Sequence, residues 1–312
     1  MKNIIDFKEG EHISGVYLVN GVTKGKTTNG SDYLSIKLQD ATKEIDAKLW
    51  QANKDQMENI VAGKFLNVEA NVIKYRDTLQ LKVESTNIVE QSEVDITRFL
   101  RSAPVDTQDL RNELQQYIYE LDDKIINSVV TSVVKLYDDQ LVEYPAASKI
   151  HHAYHGGLLY HVVSMLRLAK AIIGLYPVLN KNYLYAGIIL HDLGKIEELS
   201  GVLATEYTTK GKLLGHISIL HAQVAAIAKE LGYEDSEQVM ILEHLILSHH
   251  GRLEYGSPVL PMIREAEILT YIDNIDARMD TINRVLEGVE PGSFAPREFS
   301  LDNRTFYKPK DQ

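Results

Sequence analysis

Residues 33–50 read YLSIKLQDATKEIDAKLW, two alternating runs around a polar DATK turn. In Tyr33–Gln39 the apolar positions are Leu34, Ile36 and Leu38; in Glu44–Trp50 they are Ile45, Ala47 and Leu49. A period of two marks strands with one buried face. The register leaves Asp46, Lys48 and Trp50 on the wet face, so the only tryptophan of the chain lies outside, near Tyr33, Lys37 and Lys48. Outward from this stretch, Val16–Thr23, Phe65–Ile73 and Leu79–Ser85 are further β-rich runs, and Ala52–Ile60 predicts a short helix. Five strands with a helix between the third and fourth is the order of an OB-fold barrel, although other small barrels share the count. Exposed rings beside cations suit a groove for single-stranded nucleic acid, because every base has a π-face and every linkage a negative charge. Covering a barrel end, or packing on a second domain, accounts for Trp50 equally well; Tyr75 and Arg76 are weaker candidates.

The chain has 312 residues, 44% of them hydrophobic and 25% charged, which predicts about two globular domains. Its formal charge is −11, which excludes a simple basic nucleic-acid coat protein but not an enzyme handling nucleic acid at a metal. The absence of cysteine excludes disulfides, thiolate nucleophiles, zinc fingers and iron–sulfur clusters. The N-terminus MKNIIDFKEGEH lacks an apolar signal core and no apolar run approaches the ~20 residues of a membrane span, so a cytoplasmic protein without a membrane partner is expected. Residues 1–92 hold 12 Lys/Arg and 13 Asp/Glu, so the acidity lies in the remainder. A near-neutral β-domain can still meet a polyanion.

From Asp106 onward the apolar period becomes helical. Leu110, Leu114, Tyr117, Ile118, Leu121 and Ile125 recur on one face behind a capping candidate at Asp106 or Thr107. Further helices are predicted at Leu158–Leu175, Lys181–His191, His216–Leu231, Ser236–Ser248 and Pro261–Leu286. The expected architecture is multidomain α and β: an OB-fold five-stranded β-barrel over 1–90, a linker over 91–105 with Pro104 as breaker, an all-α bundle over 106–296, and a loose tail over 297–312.

Ten of the eleven histidines lie between His151 and His250, inside the helical region. The sharp subset is His161, the doublet His191–Asp192, His216, the pair His249–His250, and Asp273. All sit on or at the ends of predicted helices, which suits a bundle whose inward side chains meet at one centre. Imidazole plus carboxylate without sulfur favours first-row divalent metals: Mn, Fe, Co, Ni or Zn. A lone histidine on an apolar face is more often a satisfied core residue than a ligand; the combination is the signal. His221 and His244 read as core or as residues that orient a ligand, and His151, His152 and His155 as an entrance or ligand-orienting group, with His152 favoured and His155 open to a structural turn with Gly156–Gly157.

The stretch ILHDLGKIEEL (189–199) carries the doublet of the HD superfamily of metal-dependent phosphohydrolases. With HHAYHGGLLYHVVSMLRLA (151–169), LLGHI (213–217), LILSHHGRLEYGSPVLP (245–261) and EAEILTYIDNIDAR (265–278) behind the OB-like domain, the chain resembles the YhaM-type 3′→5′ exoribonucleases from about residue 10 to 290. The resemblance implies one metal held by His161, His191, Asp192 and Asp273. It implies a second held by Asp192 as bridge with His216, His249 and His250, with the choice within that last pair open. It also implies manganese, a single-stranded RNA substrate with single-stranded DNA as a second polymer, 5′-monophosphate products and a homo-oligomer. Two divalent ions ~3.5–4 Å apart can activate a water and clamp an in-line displacement at phosphorus, so no protein nucleophile is required. Their charge outweighs the acidic average nearby. Lys195, three residues past the doublet across a turn that Gly194 permits, is expected to reach a phosphate oxygen, or else to pair with Glu197 or Glu198 in solvent; Arg252 is a similar phosphate candidate. A small-nucleotide or cyclic-dinucleotide phosphohydrolase, and a non-catalytic single-strand-binding factor, are the other functions left open.

Overall fold

The computed structural model describes residues 2–100, 103–147 and 154–311. It divides into two compact units, Met1–Ser102 with Val202–Thr205, and Ala103–Gly201 with Glu206–Gln312.

The first unit is a closed barrel of β1 (His12–Lys26), β2 (Asp32–Gln39), β3 (Glu44–Trp50), β4 (Phe65–Tyr75) and β5 (Thr78–Val89), in the order β1-β2-β3-β5-β4. Only the β3–β5 pairing is parallel. The alternation read from the sequence carries through: Leu34, Ile36, Leu38, Ile45, Ala47 and Leu49 are buried in the barrel core, while Trp50 is 47% exposed. Helix α1 (Lys54–Asn59) lies between β3 and β4, as the OB order requires. It starts on a reciprocal cap in which Gln56 N–H donates to Asn53 Oδ1 and Asn53 N–H to Gln56 Oε1. β5 runs on through Asn87–Val89. The segment expected as a linker over 91–105 is partly built into this unit, since Phe99 and Leu100 are buried with Leu18 and Phe65.

The second unit is all helical, with α2 (Thr107–Tyr119), α3 (Lys124–Leu141), α4 (Gly157–Leu175), α5 (Lys181–Leu190), α6 (Lys195–Glu198), α7 (Thr209–Glu230), α8 (Glu237–Ser248) and α9 (Arg264–Leu286). The helical period read as continuous from Leu110 to Ile125 is two helices. Asp106 caps α2 by accepting from Gln108 and Asp109 N–H, and Asp123 starts a new helix by accepting from Ile125 and Ile126 N–H. An aspartate that offers its carboxylate to free N–H groups starts a helix even where the apolar period continues. Helix α7 begins earlier than expected because two helical pieces join across a kink at Gly215 (φ 72°).

Helix α4 is long and apolar enough to cross a membrane by length and composition. This corrects the expectation that no apolar run approaches that length; His161, Ser164, Arg167 and Lys170 break the run in the sequence. In the fold its Leu158, Leu159, Val162, Val163, Met165, Leu166 and Ala169 are buried in the helical core. The segment expected as a loose tail folds back: Phe294 bridges Tyr307, Glu298 bridges Arg304, and Leu301 is buried.

Candidate metal centre

The ligand candidates come from helix ends, a helix kink and the faces of two helices. His191 caps the C-terminus of α5 and His249 that of α8. The last carbonyls of a helix have no partner within it, and both histidines use one: Nδ1 of His191 lies 2.8 Å from Ile188 O, and Nδ1 of His249 lies 2.8 Å from Ile246 O. His250 Nδ1 lies 2.6 Å from Tyr255 O. A carbonyl oxygen only accepts, so these Nδ1 atoms carry the proton and Nε2 is left with its lone pair. His161 lies on α4, His216 follows the Gly215 kink, and Asp273 lies on α9.

These side chains meet at Asp192. Its Oδ2 lies 3.3 Å from His191 Nε2 and 3.8 Å from His161 Nε2, and its Oδ1 lies 3.5 Å from His216 Nε2 and 3.8 Å from His249 Nε2. One carboxylate thus faces two histidine groups, one from each oxygen. Asp273 Oδ1 adds to the first group at 3.3 Å from His161 Nε2. Two sets of donor atoms, Asp192 with His161 and His191, and Asp192 with His216, His249 and His250, are each close enough to share one ion. His161, His191, Asp192 and His249 are almost fully buried.

A divalent cation fits what these residues leave unsatisfied. Nε2 of His191, His216 and His249 and Oδ1 of Asp192 are buried without a hydrogen-bond partner among the described residues. Four such atoms turned on one another are costly unless something satisfies them. The spacings of 3.3–3.8 Å between these nitrogens and the two oxygens of Asp192 suit donors on a common ion with ligand bonds of ~2.0–2.2 Å. Electrostatics agree. Burial, with the neighbouring His250, holds His249 well below the usual imidazole range, and burial lowers His250 as well. Both are therefore neutral lone-pair donors. Burial opposes charge on Asp192, but the Lys195 ammonium holds its carboxyl well below the usual range. Burial also opposes a proton on His161, yet the flanking Asp273 and Asp276 push it up to about 10. A cation held by His161 would compete with that proton.

Lys195 is buried, and its Nζ donates to Asp192 Oδ2 at 2.7 Å. It does not pair with the acids that follow it. Glu197 accepts from Tyr137 Oη at 2.6 Å and from Lys210, and Glu198 faces His216. Gly194 serves a different purpose from the one expected. Its φ is −62°, open to any residue, but a Cβ there would overlap the His216 carbonyl oxygen and lie 3.0 Å from its carbon. This glycine lets the backbone beside the doublet touch the backbone of His216, a ligand candidate.

Arg252 is exposed, with its guanidinium 5.7 Å from the Tyr255 ring centre, in the loop that also bonds His250. His152, with His151, lies outside the described residues. On the barrel, Tyr33 and Trp50 pair across β2 and β3 with ring centres 5.1 Å apart, and the Tyr33 ring occupies the space a side chain on Gly25 would need. Lys48 Nζ sits 5.5 Å from the Tyr33 ring centre and donates to Ser35 Oγ, while Lys37 lies 3.7 Å from Glu44.

Comparison with known proteins agrees with both halves. Residues 158–278 match the family model for an HD domain, and residues 17–89 that for an OB-fold nucleic acid binding domain. The chain is 47% identical over 309 residues to the 3′-5′ exoribonuclease YhaM of Bacillus subtilis (strain 168), and 46% identical over 311 residues to that of Oceanobacillus iheyensis; both alignments cover 99% of this chain and 98% of the relative. The YhaM protein of Bacillus pumilus is 45% identical with the same coverage. The chain belongs to the YhaM family of 3′-5′ exoribonucleases. Its OB-fold barrel and HD domain are those of the family, and the buried histidine–aspartate cluster within the HD domain points to divalent metal.

Two residues of this YhaM-family centre were missed in the sequence. Asp276 Oδ2 lies 2.7 Å from His161 Nδ1, and Glu198 Oε2 lies 3.1 Å from His216 Nδ1. The first left a signal, since Asp273 and Asp276 stand three apart on one helix and share a face. The second left none, because Glu198 meets His216 only where α6 packs on α7.

Proposed function

We propose that this chain is a metal-dependent 3′→5′ exoribonuclease that hydrolyses single-stranded RNA to nucleoside 5′-monophosphates. The observation that carries the reading is the Asp192 carboxylate, turned by its two oxygens toward two histidine groups. In this reading His161, His191, Asp192 and Asp273 hold one ion, and Asp192, His216, His249 and His250 hold the other, with manganese as the metal. When bound, the ions supply Lewis acidity at the phosphodiester and lower the pKa of water towards neutrality. Asp192 ties the two halves together, and Lys195 fixes the Asp192 carboxylate while adding a positive charge beside the site for a phosphate oxygen. Arg252 offers a second cation for the phosphate chain. Single-stranded DNA is a second polymer substrate, and a cytoplasmic homo-oligomer is the working form, with sedimentation velocity as its check.

The barrel supports a polymer rather than a lone nucleotide. Tyr33 and Trp50 offer a ring pair beside Lys48, and Lys37 stands on the same outer face. Stacking one base on such a ring is worth ~1–3 kcal/mol. Trp50→Ala is therefore expected to raise KM for a long RNA about tenfold, with little change in turnover of a dinucleotide. Equal effects on both substrates would remove the barrel from substrate binding.

The experiment for the activity compares 3′- and 5′-labelled RNA oligonucleotides. The expected result is early release of labelled mononucleotide from the 3′ end, stopped by a chelator and restored by manganese. Binding without consumption would favour the non-catalytic factor, and preference for a cyclic dinucleotide would favour the small-nucleotide phosphohydrolase.

A further inference from the structure

The imidazoles at the centre are held in two different ways. His191, His249 and His250 turn Nδ1 to the backbone carbonyls of Ile188, Ile246 and Tyr255. His161 and His216 turn theirs to carboxylates, Asp276 and Glu198. Asp276 backs the histidine that faces Asp192 Oδ2, and Glu198 backs one that faces Asp192 Oδ1. We infer that Asp276 and Glu198 are positioning residues that each govern one of the two cation subsites, an inference that rests on the two-ion reading above.

A carboxylate behind a ligating histidine fixes the tautomer and ring orientation and raises the basicity of the ligating nitrogen, more than a neutral carbonyl does. Both carboxylates are themselves held in place. Asp276 accepts from Ser164 Oγ, one turn along α4 from His161, and stands one turn from Asp273 on α9. Helix α9 therefore addresses both ring nitrogens of His161, Asp273 at Nε2 (3.3 Å) and Asp276 at Nδ1 (2.7 Å). Glu198 uses a different anchor. The kink at Gly215 interrupts the helical bonding of α7, and Glu198 Oε1 accepts the His216 backbone N–H at 3.0 Å as well as facing its ring. One carboxylate thus sets the ring and the local backbone of the same ligand. Neither carboxylate is itself one of the donor atoms grouped around Asp192. Loss of either leaves the donor set complete and alters how one member is aimed.

The test is calorimetric titration of chelator-treated full-length protein with manganese alone, for the parent chain, Asp276→Asn and Glu198→Gln. The parent is expected to take up two ions. Each variant should weaken one binding event by ~10–100-fold and leave the other in place. Assignment follows from pairing the changes: Glu198→Gln should add nothing to the loss caused by His216→Ala and should add in full to that caused by His161→Ala, with the reverse for Asp276→Asn. Far-UV circular dichroism of the metal-free variants should match the parent, so that a weakened binding event is not a lost fold, and a merely structural role would not confine the loss to one of the two events. Two ions in the parent with both events weakened equally, or neither weakened, overturns the inference and leaves the two-ion reading standing. A single ion in the parent overturns that reading and this inference with it.

Discussion

Asp192→Asn will lose phosphodiester hydrolysis, with kcat/KM falling at least ~1000-fold, the effect of ~4 kcal/mol of lost transition-state stabilisation, while the chain stays folded. The size follows from where the carboxylate stands. Among the described residues it is the carboxylate that faces both histidine sets, so in the two-ion reading its charge would serve both ions and each histidine one. The amide is the informative replacement. Asp192 is the partner of buried Lys195, and an alanine would leave that ammonium without its counter-charge. Stranding a buried charge costs ~3–5 kcal/mol, so Asp192→Ala combines loss of metal with loss of stability. Asparagine keeps the shape and an acceptor oxygen and removes the charge. Parent-like trimming by Asp192→Asn would remove the proposed centre; circular dichroism verifies the fold.

Gly194→Ala will lower the melting temperature by about 5 °C, from an overpacking cost of ~1–3 kcal/mol, and will weaken metal uptake at the His216 side. Backbone preference cannot be the cause, because φ at Gly194 is −62° and alanine adopts it freely. In an open helix the same change would stabilise. Here the added methyl meets the His216 carbonyl and Leu220 Cβ, and a backbone carbonyl cannot swing aside as a side-chain tip can. The start of the second half of α7 must move, and His216 moves with it. Gly211 shows the same device one layer on, where a methyl would meet the backbone of Glu198. Unchanged melting and metal uptake in Gly194→Ala would show that the close approach of α6 and α7 is dispensable.

The parts of the molecule legible in the sequence are those that depend on local period and on residue chemistry. Leu34, Ile36 and Leu38 announce a strand face wherever that strand lies, and the histidines and aspartates announce a metal by their types. The break between α2 and α3 was hidden because Leu121 and Ile125 keep the apolar period while Asp123 starts a new helix. The membrane-length character of α4 was hidden by the polar residues that make it useful, His161 among them. The purpose of Gly194, the burial of Lys195 and the reach of Glu198 to His216 exist only where α6 meets α7, and no spacing along the chain encodes that meeting. Asp276 is the intermediate case, three residues from Asp273 on one helix and therefore open to a reading by face.

The most direct test of the centre is anomalous diffraction at the manganese absorption edge from crystals of the protein grown with manganese. Two peaks are expected, one on each side of the Asp192 carboxylate, the first within bonding distance of His161 and His191 and the second of His216 and His249. No peak at Asp192, with manganese bound elsewhere or not at all, would contradict the account.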